Sequence, residues 1–188
     1  MKNNVSHFNF SALLIVVFLS FLACKNETTK QGWNTYRTPY YQITYPEKFE
    51  FVKKGQYDEK GDQMLQQAEF FLYVNDSTSD EKKGFRPNIN LLVQDISNLN
   101  YTLKDYVELS EKQILNLIKD SEIVTSDSHN DFHRITYKGS LDQRELFFYQ
   151  HYEIYNKQAF ILTFSAQNTT FKEQIEIVKS VFDNFKLK

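Results

Sequence analysis

Apolar side chains recur along this chain with two periods, and the switches between them mark its elements. Tyr41, Ile43 and Tyr45 alternate with Gln42 and Thr44, the period of two that turns one side of a strand toward a core. Pro46 ends that strand, 49–52 predicts a short second one, and 69–74 and 88–96 predict two more. The stretches 53–67 and 75–84 between them are polar and rich in turn formers. From 100 to 120 the period lengthens. Leu103, Tyr106, Val107, Ser110, Ile114, Leu117 and Ile118 fall at steps of three and four, the stripe of an amphipathic helix. Thr102 is suited to cap it, with Asp105 closing a capping box. Strands are predicted again over 122–127, 133–138, 144–155 and 159–166. The second of these ends at a turn on Gly139, and the last two form a hairpin through Asn156, Lys157 and Gln158. In the last strand Ile161 faces one way while Phe160, Leu162 and Phe164 face the other, so it belongs mid-sheet with cover on both sides. A second helix closes the chain, with a capping box at 170–173 and a stripe of Phe171, Ile175, Val178, Phe182 and Phe185. Two helices separated by four strands predict an α+β fold: a three-layer α/β/α sandwich around a mainly antiparallel sheet.

The first 23 residues follow neither period. Lys2 precedes an apolar run over 11–23 that ends at Cys24. That run is shorter than the about 20 residues a helix needs to span about 30 Å of hydrocarbon. It fits a secretory leader that is removed. Ala23 before Cys24 resembles the lipobox of bacterial lipoproteins, in which the cysteine becomes the diacylated first residue of the mature chain. Phe21 and Leu22 stand where that pattern has a Leu and a small residue. The chain therefore divides into a signal peptide over 1–23, a flexible tether over 24–38 and a domain over 39–188. Trp33 falls within the tether, either disordered or resting at the bilayer interface. Lys25, Asn26 and Glu27 resemble the surface-export signal of Bacteroidetes lipoproteins. The predicted location is a bacterial envelope, at the periplasmic or surface face of an outer membrane.

Composition narrows the chemistry. Removing 23 of 188 residues leaves 165, enough to bury about two-thirds of the surface without staples. Cys24 is the sole cysteine. With that residue acylated, disulfides, thiol redox chemistry, cysteine nucleophiles and cysteine zinc sites are excluded. Without Lys2, 21 basic residues stand against 24 acidic ones, a balance near −3. Such a domain lacks the electrostatic footprint of a nucleic-acid binder. Attachment to the membrane is assigned to acyl chains. The 12 tyrosines and 17 phenylalanines predict either a thick sheet core or an aromatic-lined groove.

The sharpest constellation is His129-x-Asp131-x-His133, with His151 on a later strand. On a continuous strand, residues two apart share a face and could converge on a divalent metal. The turn formers at 126–131 instead predict a chain reversal, with His129 solvated and pointing away from a half-buried His133. The site assignment is accordingly no metal, with these three residues as the candidates. Asp58, Glu59 and Asp62, and separately Asp80 and Glu81, are carboxylate clusters interleaved with lysine, the composition of a solvated surface. No nucleophile elbow, Ser-x-x-Lys opening or glycine-rich phosphate loop is present. No cofactor is expected.

Three blocks of residues together resemble the PsbP-like family. They are Tyr41-x-Ile43-x-Tyr45-Pro46-x-x-Phe49, the helix opening Leu103-x-x-Tyr106, and Tyr149-Gln150-x-Tyr152 running through 161–166. The closing helix with Phe171 and Val181-Phe182-x-x-Phe185 completes the likeness, and Phe49 stands where the family often has Trp. The family shares its fold with a Ran-binding nuclear-import protein and with DcrB-type bacterial lipoproteins. The resemblance implies an accessory or assembly role on a larger complex and carries no catalytic residues. The expected function is thus non-catalytic: a lipid-anchored domain that recognises another envelope component through its sheet and its loops at 53–67 and 75–87. The alternative is a small-ligand pocket lined from Tyr73, Tyr137 and Tyr149. A metal-dependent enzyme using His129, Asp131 and His133 is the third reading.

Overall fold

In the computed structural model, residues 30–56, 67–74 and 85–188 are described. Cys24, the predicted leader over 1–23, and the carboxylates Asp58, Glu59, Asp62, Asp80 and Glu81 lie outside them. Ten strands and two helices are found among the described residues. In chain order these are β1 (Trp33–Arg37), β2 (Tyr41–Pro46), β3 (Glu50–Lys53), β4 (Ala68–Tyr73), β5 (Asn88–Asp95) and α1 (Leu103–Leu117). There follow β6 (Lys119–Ser128), β7 (His133–Leu141), β8 (Arg144–Tyr155), β9 (Gln158–Ala166), α2 (Asn168–Asp183) and β10 (Lys186–Leu187). Seven strands form one sheet in the order β3-β4-β5-β9-β8-β7-β6, and β1-β2-β10 form a smaller one. Every pairing is antiparallel.

Side-chain alternation in the large sheet feeds two separate cores. Phe160, Leu162, Phe164 and Ala166 of β9 join Phe70 and Leu72 of β4, Phe171, Val178, Val181 and Phe182 of α2, and Tyr41, Ile43 and Tyr45 of β2. Ala159 and Ile161, on the opposite side of β9, join Ile135, Tyr137, Phe148 and Tyr152 and the α1 residues Tyr106, Val107 and Ile114. The result is the predicted three-layer arrangement, with α1 on one face of the sheet and α2 plus the small sheet on the other. β9 lies between β5 and β8, as a strand apolar on both faces requires. The α1 cap forms as its sequence predicts. Thr102 Oγ1 accepts from the Asp105 amide at 3.2 Å, and Asp105 Oδ2 accepts from the Thr102 amide at 2.9 Å.

Four boundaries differ from expectation. Trp33–Arg37 is not tether but β1, paired with β2 from Trp33↔Pro46 to Arg37↔Gln42. Its polar residues follow no visible alternation because it is an edge strand. Trp33 and Tyr36 anchor it on the core, and Lys30 Nζ sits 4.2 Å above the Trp33 ring. The second helix starts earlier, with Gln167 at its N-cap and no side-chain cap bond. Thr170 is buried in its first turn, so the predicted capping box does not form. The β7–β8 reversal falls at Asp142 and Gln143, not at Gly139. Both turn residues take left-handed φ values of 49° and 63°, as Asn156 and Lys157 do at 48° and 60° in the β8–β9 turn. These are two-residue turns of the kind that match strand twist, made here without glycine. Finally, β6 runs to Lys119–Ser128, longer at both ends than predicted.

Gly139 is needed for space rather than for turning. It pairs with Leu146 inside the ladder, and a Cβ there would lie 2.5 Å from Ile118 Cγ2. That methyl hangs from a stiff β-branched side chain, so accommodation needs movement of the α1–β6 junction. Gly139→Ala is expected to lower unfolding stability by about 1–3 kcal/mol, the usual range for overpacking, measured by urea denaturation.

Candidate functional site

The two faces of the large sheet are roofed unequally. Seven strands at about 4.8 Å spacing make a face roughly 29 Å wide, whereas a helix is about 10 Å across. On the α2 side, helix and small sheet share the task. On the other side only α1 does so among the described residues, and it packs against β6 and β8. The remainder of that face is the floor of a cleft of about 400 Å³, within the usual size of small-molecule sites. Register sets its floor. Asn88, Ser165, Phe148 and Tyr137 form one row across β5, β9, β8 and β7, and Asn90, Thr163 and Gln150 form the next. Phe71 of β4, Leu92 and Ile161 extend the floor, and Ile118 and Leu141 contribute to the walls. A smaller groove beneath α1 shares Leu92, Ile118, Gln150 and Ile161 with it. Leu117 sits in the lining of that groove, 80% exposed, although its place in the helix stripe predicts burial.

The cleft is apolar with a narrow strip of uncharged hydrogen-bonding groups. Gln150 Nε2 donates to Thr163 Oγ1 at 3.0 Å, and the Tyr152 hydroxyl donates to Gln150 Oε1. Asn90 Nδ2 donates to Asn88 Oδ1 at 3.3 Å, and Asn88 Nδ2 to the Arg86 carbonyl at 3.0 Å. Among the described residues that line it, none is charged. Burial raises the Tyr137 and Tyr152 hydroxyls well above the ordinary tyrosine range and pushes Tyr106 up to about 12, because the phenolate is the form that loses solvation. These hydroxyls therefore stay neutral across the physiological range.

The tyrosines predicted to line one pocket do not meet. Tyr137 lines the cleft and stacks on Phe148, ring centres 4.6 Å apart. Tyr149 follows Phe148 in β8 and so points to the other face, where it stacks on Phe182 at 5.3 Å. Tyr73 stacks on Phe71 at 5.8 Å, under the Arg86 guanidinium, and does not line the cleft. The sequence motifs above do not include the polar strip. Its signal was there: Asn88 and Asn90 in β5, and Thr163 and Ser165 in β9, are uncharged polar residues at period two within apolar strands.

The histidines are likewise divided by the sheet. His133 pairs with Tyr152 and Arg134 with His151, so His133 and His151 lie on opposite faces and cannot share an ion. His129 closes a turn, its amide donating to the Phe132 carbonyl at 2.9 Å. Its ring stacks on Phe132 at 4.3 Å, and Phe132 stacks on His151 at 4.8 Å. Asp131 is exposed in the turn between His129 and His133. Among the described residues, no three His, Cys, Asp or Glu side chains are grouped to hold a metal.

Each buried imidazole has its own hydrogen-bond partners. Ser126 donates to Glu111 Oε1 at 2.6 Å, so its oxygen accepts from His133 Nε2 at 2.9 Å, while the Ser128 hydroxyl donates to His133 Nδ1 at 2.9 Å. On the other face, Arg134 Nε donates to His151 Nδ1 at 3.1 Å, and His151 Nε2 donates to Glu153 Oε1 at 2.7 Å. Arg134 also donates to Asp183 Oδ1 at 2.6 Å, tying β7 to the end of α2. Arg134, His129, Tyr149 and Lys179 line an open depression of about 480 Å³ on that face. With Arg134 bound to Asp183 and Lys179 bonded to Glu176 at 2.7 Å, its cations already have counterions.

Burial lowers the His133 pKa below its ordinary 6.5, opposed by the nearby Glu111 and Asp127 carboxylates. The unfolded chain therefore takes up the proton first. Stability from this group is complete above pH 6.5 and declines as pH falls below it. The loss of urea stability between pH 7.5 and pH 5 is expected to be smaller in His133→Gln than in the unsubstituted chain.

No protein-family model matches the sequence, and no curated protein matches it. Solved structures do. Cyanobacterial PsbP (CyanoP) from Synechocystis sp. PCC 6803, known from a solution structure, superposes with a TM-score of 0.61 at 9% identity, covering 89% of this chain and 99% of that one. LpqN, described as involved in cell envelope biogenesis of Mycobacterium tuberculosis, superposes with a TM-score of 0.58 at 6% identity, covering 83% and 91%. At such identities the likeness is one of backbone architecture, and function lives in sites carried by that architecture. The fold of this chain is the PsbP-like fold.

Proposed function

We propose that this chain is a non-catalytic binding protein of a bacterial cell envelope, held at the membrane by lipid on Cys24, and that what it binds occupies the cleft on the α1 face. The cleft is the observation that carries this reading. The described residues lining it hold no carboxylate, imidazole or amine, and amides and neutral hydroxyls orient a ligand without changing charge near neutral pH. The apolar run ending at Cys24 supports attachment by acyl chains. Among the described residues, no helix is long and apolar enough to cross a membrane. LpqN, the fold neighbour described as involved in envelope biogenesis, supports the same compartment. Tethering would raise the local concentration of the site beside the bilayer.

Two measurements test the reading. Metabolic labelling with an alkyne-bearing palmitate is expected to mark the full-length chain and to fail with Cys24→Ser; equal labelling of both refutes the anchor. A thermal-shift screen of charged and uncharged small molecules is expected to yield compounds that raise the melting temperature and are recovered chemically unchanged. Thr163→Phe, which fills the cleft floor, is expected to abolish those shifts. Shifts that persist in that variant, or compounds consumed during incubation, overturn the binding reading.

A further inference from the structure

We infer that the cleft selects an uncharged small molecule, apolar over most of its surface, that turns a hydroxyl or carbonyl edge toward Asn90, Thr163 and Ser165. This rests on reading the cleft as a binding site and adds the class of ligand.

Two observations lead there independently. One is electrostatic. An ion brought into this cleft would lose water and find no opposite charge among the described lining residues, a loss that an unpaired buried ion does not recover. The Tyr137 hydroxyl in its lining remains neutral for the same reason. The other is a surplus of hydrogen-bonding capacity. Ser165 is 6% exposed and Tyr137 3%, yet neither hydroxyl has a hydrogen-bond partner among the described residues, although both line the cleft. Both hydroxyls open onto the cleft and are not sealed in the core, so a molecule entering it meets two groups whose hydrogen-bonding capacity no described side chain uses. Beside them, Thr163 accepts from Gln150 and keeps its own proton, and Asn90 uses its amide nitrogen on Asn88 and keeps its carbonyl oxygen. Donors and acceptors thus lie together in adjacent rows. The stacked rings of Tyr137 and Phe148 form part of the apolar floor next to them. A flat neutral molecule with one polar edge satisfies both halves, whereas a plain hydrocarbon leaves the hydroxyls open.

Benzophenone, a neutral aromatic ketone that inserts into nearby C–H bonds under near-ultraviolet light, tests this on the full chain in nonionic detergent, with adducts mapped by mass spectrometry. Adducts are expected on cleft peptides from β8 and β9, and 4-benzoylbenzoate, its anionic counterpart, is expected to label them at least about tenfold less. Ser165→Ala keeps the cavity open and removes one hydroxyl. It is expected to lower benzophenone labelling about threefold to tenfold, as loss of one hydrogen bond does, with an unchanged circular dichroism spectrum. Equal labelling by the anion overturns the charge selection while leaving the binding reading in place. Undiminished labelling of Ser165→Ala overturns the polar edge. No cleft adduct from either probe overturns both this inference and the binding reading beneath it.

Discussion

A seven-stranded sheet that is apolar on both faces must be covered twice, and this chain has only two helices among its described residues to do it. The α2 side recruits a second sheet, β1-β2-β10, so that its core closes around Phe70, Phe164 and Phe182 without a gap in exposure. Among the described residues the α1 side receives one helix and no second sheet. The rest of that face carries side chains that tolerate both water and apolar neighbours: Asn88, Asn90, Thr163 and Ser165 among Phe71, Tyr137 and Phe148. The cleft is thus a consequence of layer arithmetic, and its amphipathic floor is the composition a partly covered sheet can sustain.

The same sheet explains why the residues that look most chemical in the sequence do not assemble. Residues in adjacent strands share a face only when register pairs them, and one step along a strand reverses the face. His151 misses His133 by one position, and Tyr149 misses Tyr137 by one. What remains of the histidines is structural. His133 bridges Ser126 and Ser128 of β6, of which Ser126 donates to Glu111 of α1, and His151 joins Arg134 and Glu153 in a chain that reaches Asp183 of α2. Both imidazoles connect a helix to the sheet it covers, which gives buried polar side chains a reason to persist in an aromatic core.

Several local rules held because they act over few residues. The Thr102–Asp105 box, the two-faced β9 and the short β8–β9 link were legible in sequence, since each depends on neighbours within about four positions. Gly139 misled because glycine has two uses, conformational freedom and absence of a side chain, and sequence does not separate them. Here the second applied, against Ile118. The tether boundary misled because an edge strand needs no alternation of its own. β1 is held by hydrogen bonds to β2 and by two aromatic rings, and nothing in Asn34, Thr35 or Arg37 announces that.

The sequence by itself determined the order and type of the elements from β2 to α2, the double-sided burial of β9, and a single cysteine, Cys24, with no thiol after it. These are properties of composition and local period. Only the tertiary structure decided which uncharged polar residues gather on one floor, which tyrosine joins them, and that the histidines stand on opposite sides. Those outcomes depend on strand order and register between segments as far apart as β5 and β9, and no local pattern encodes a pairing partner.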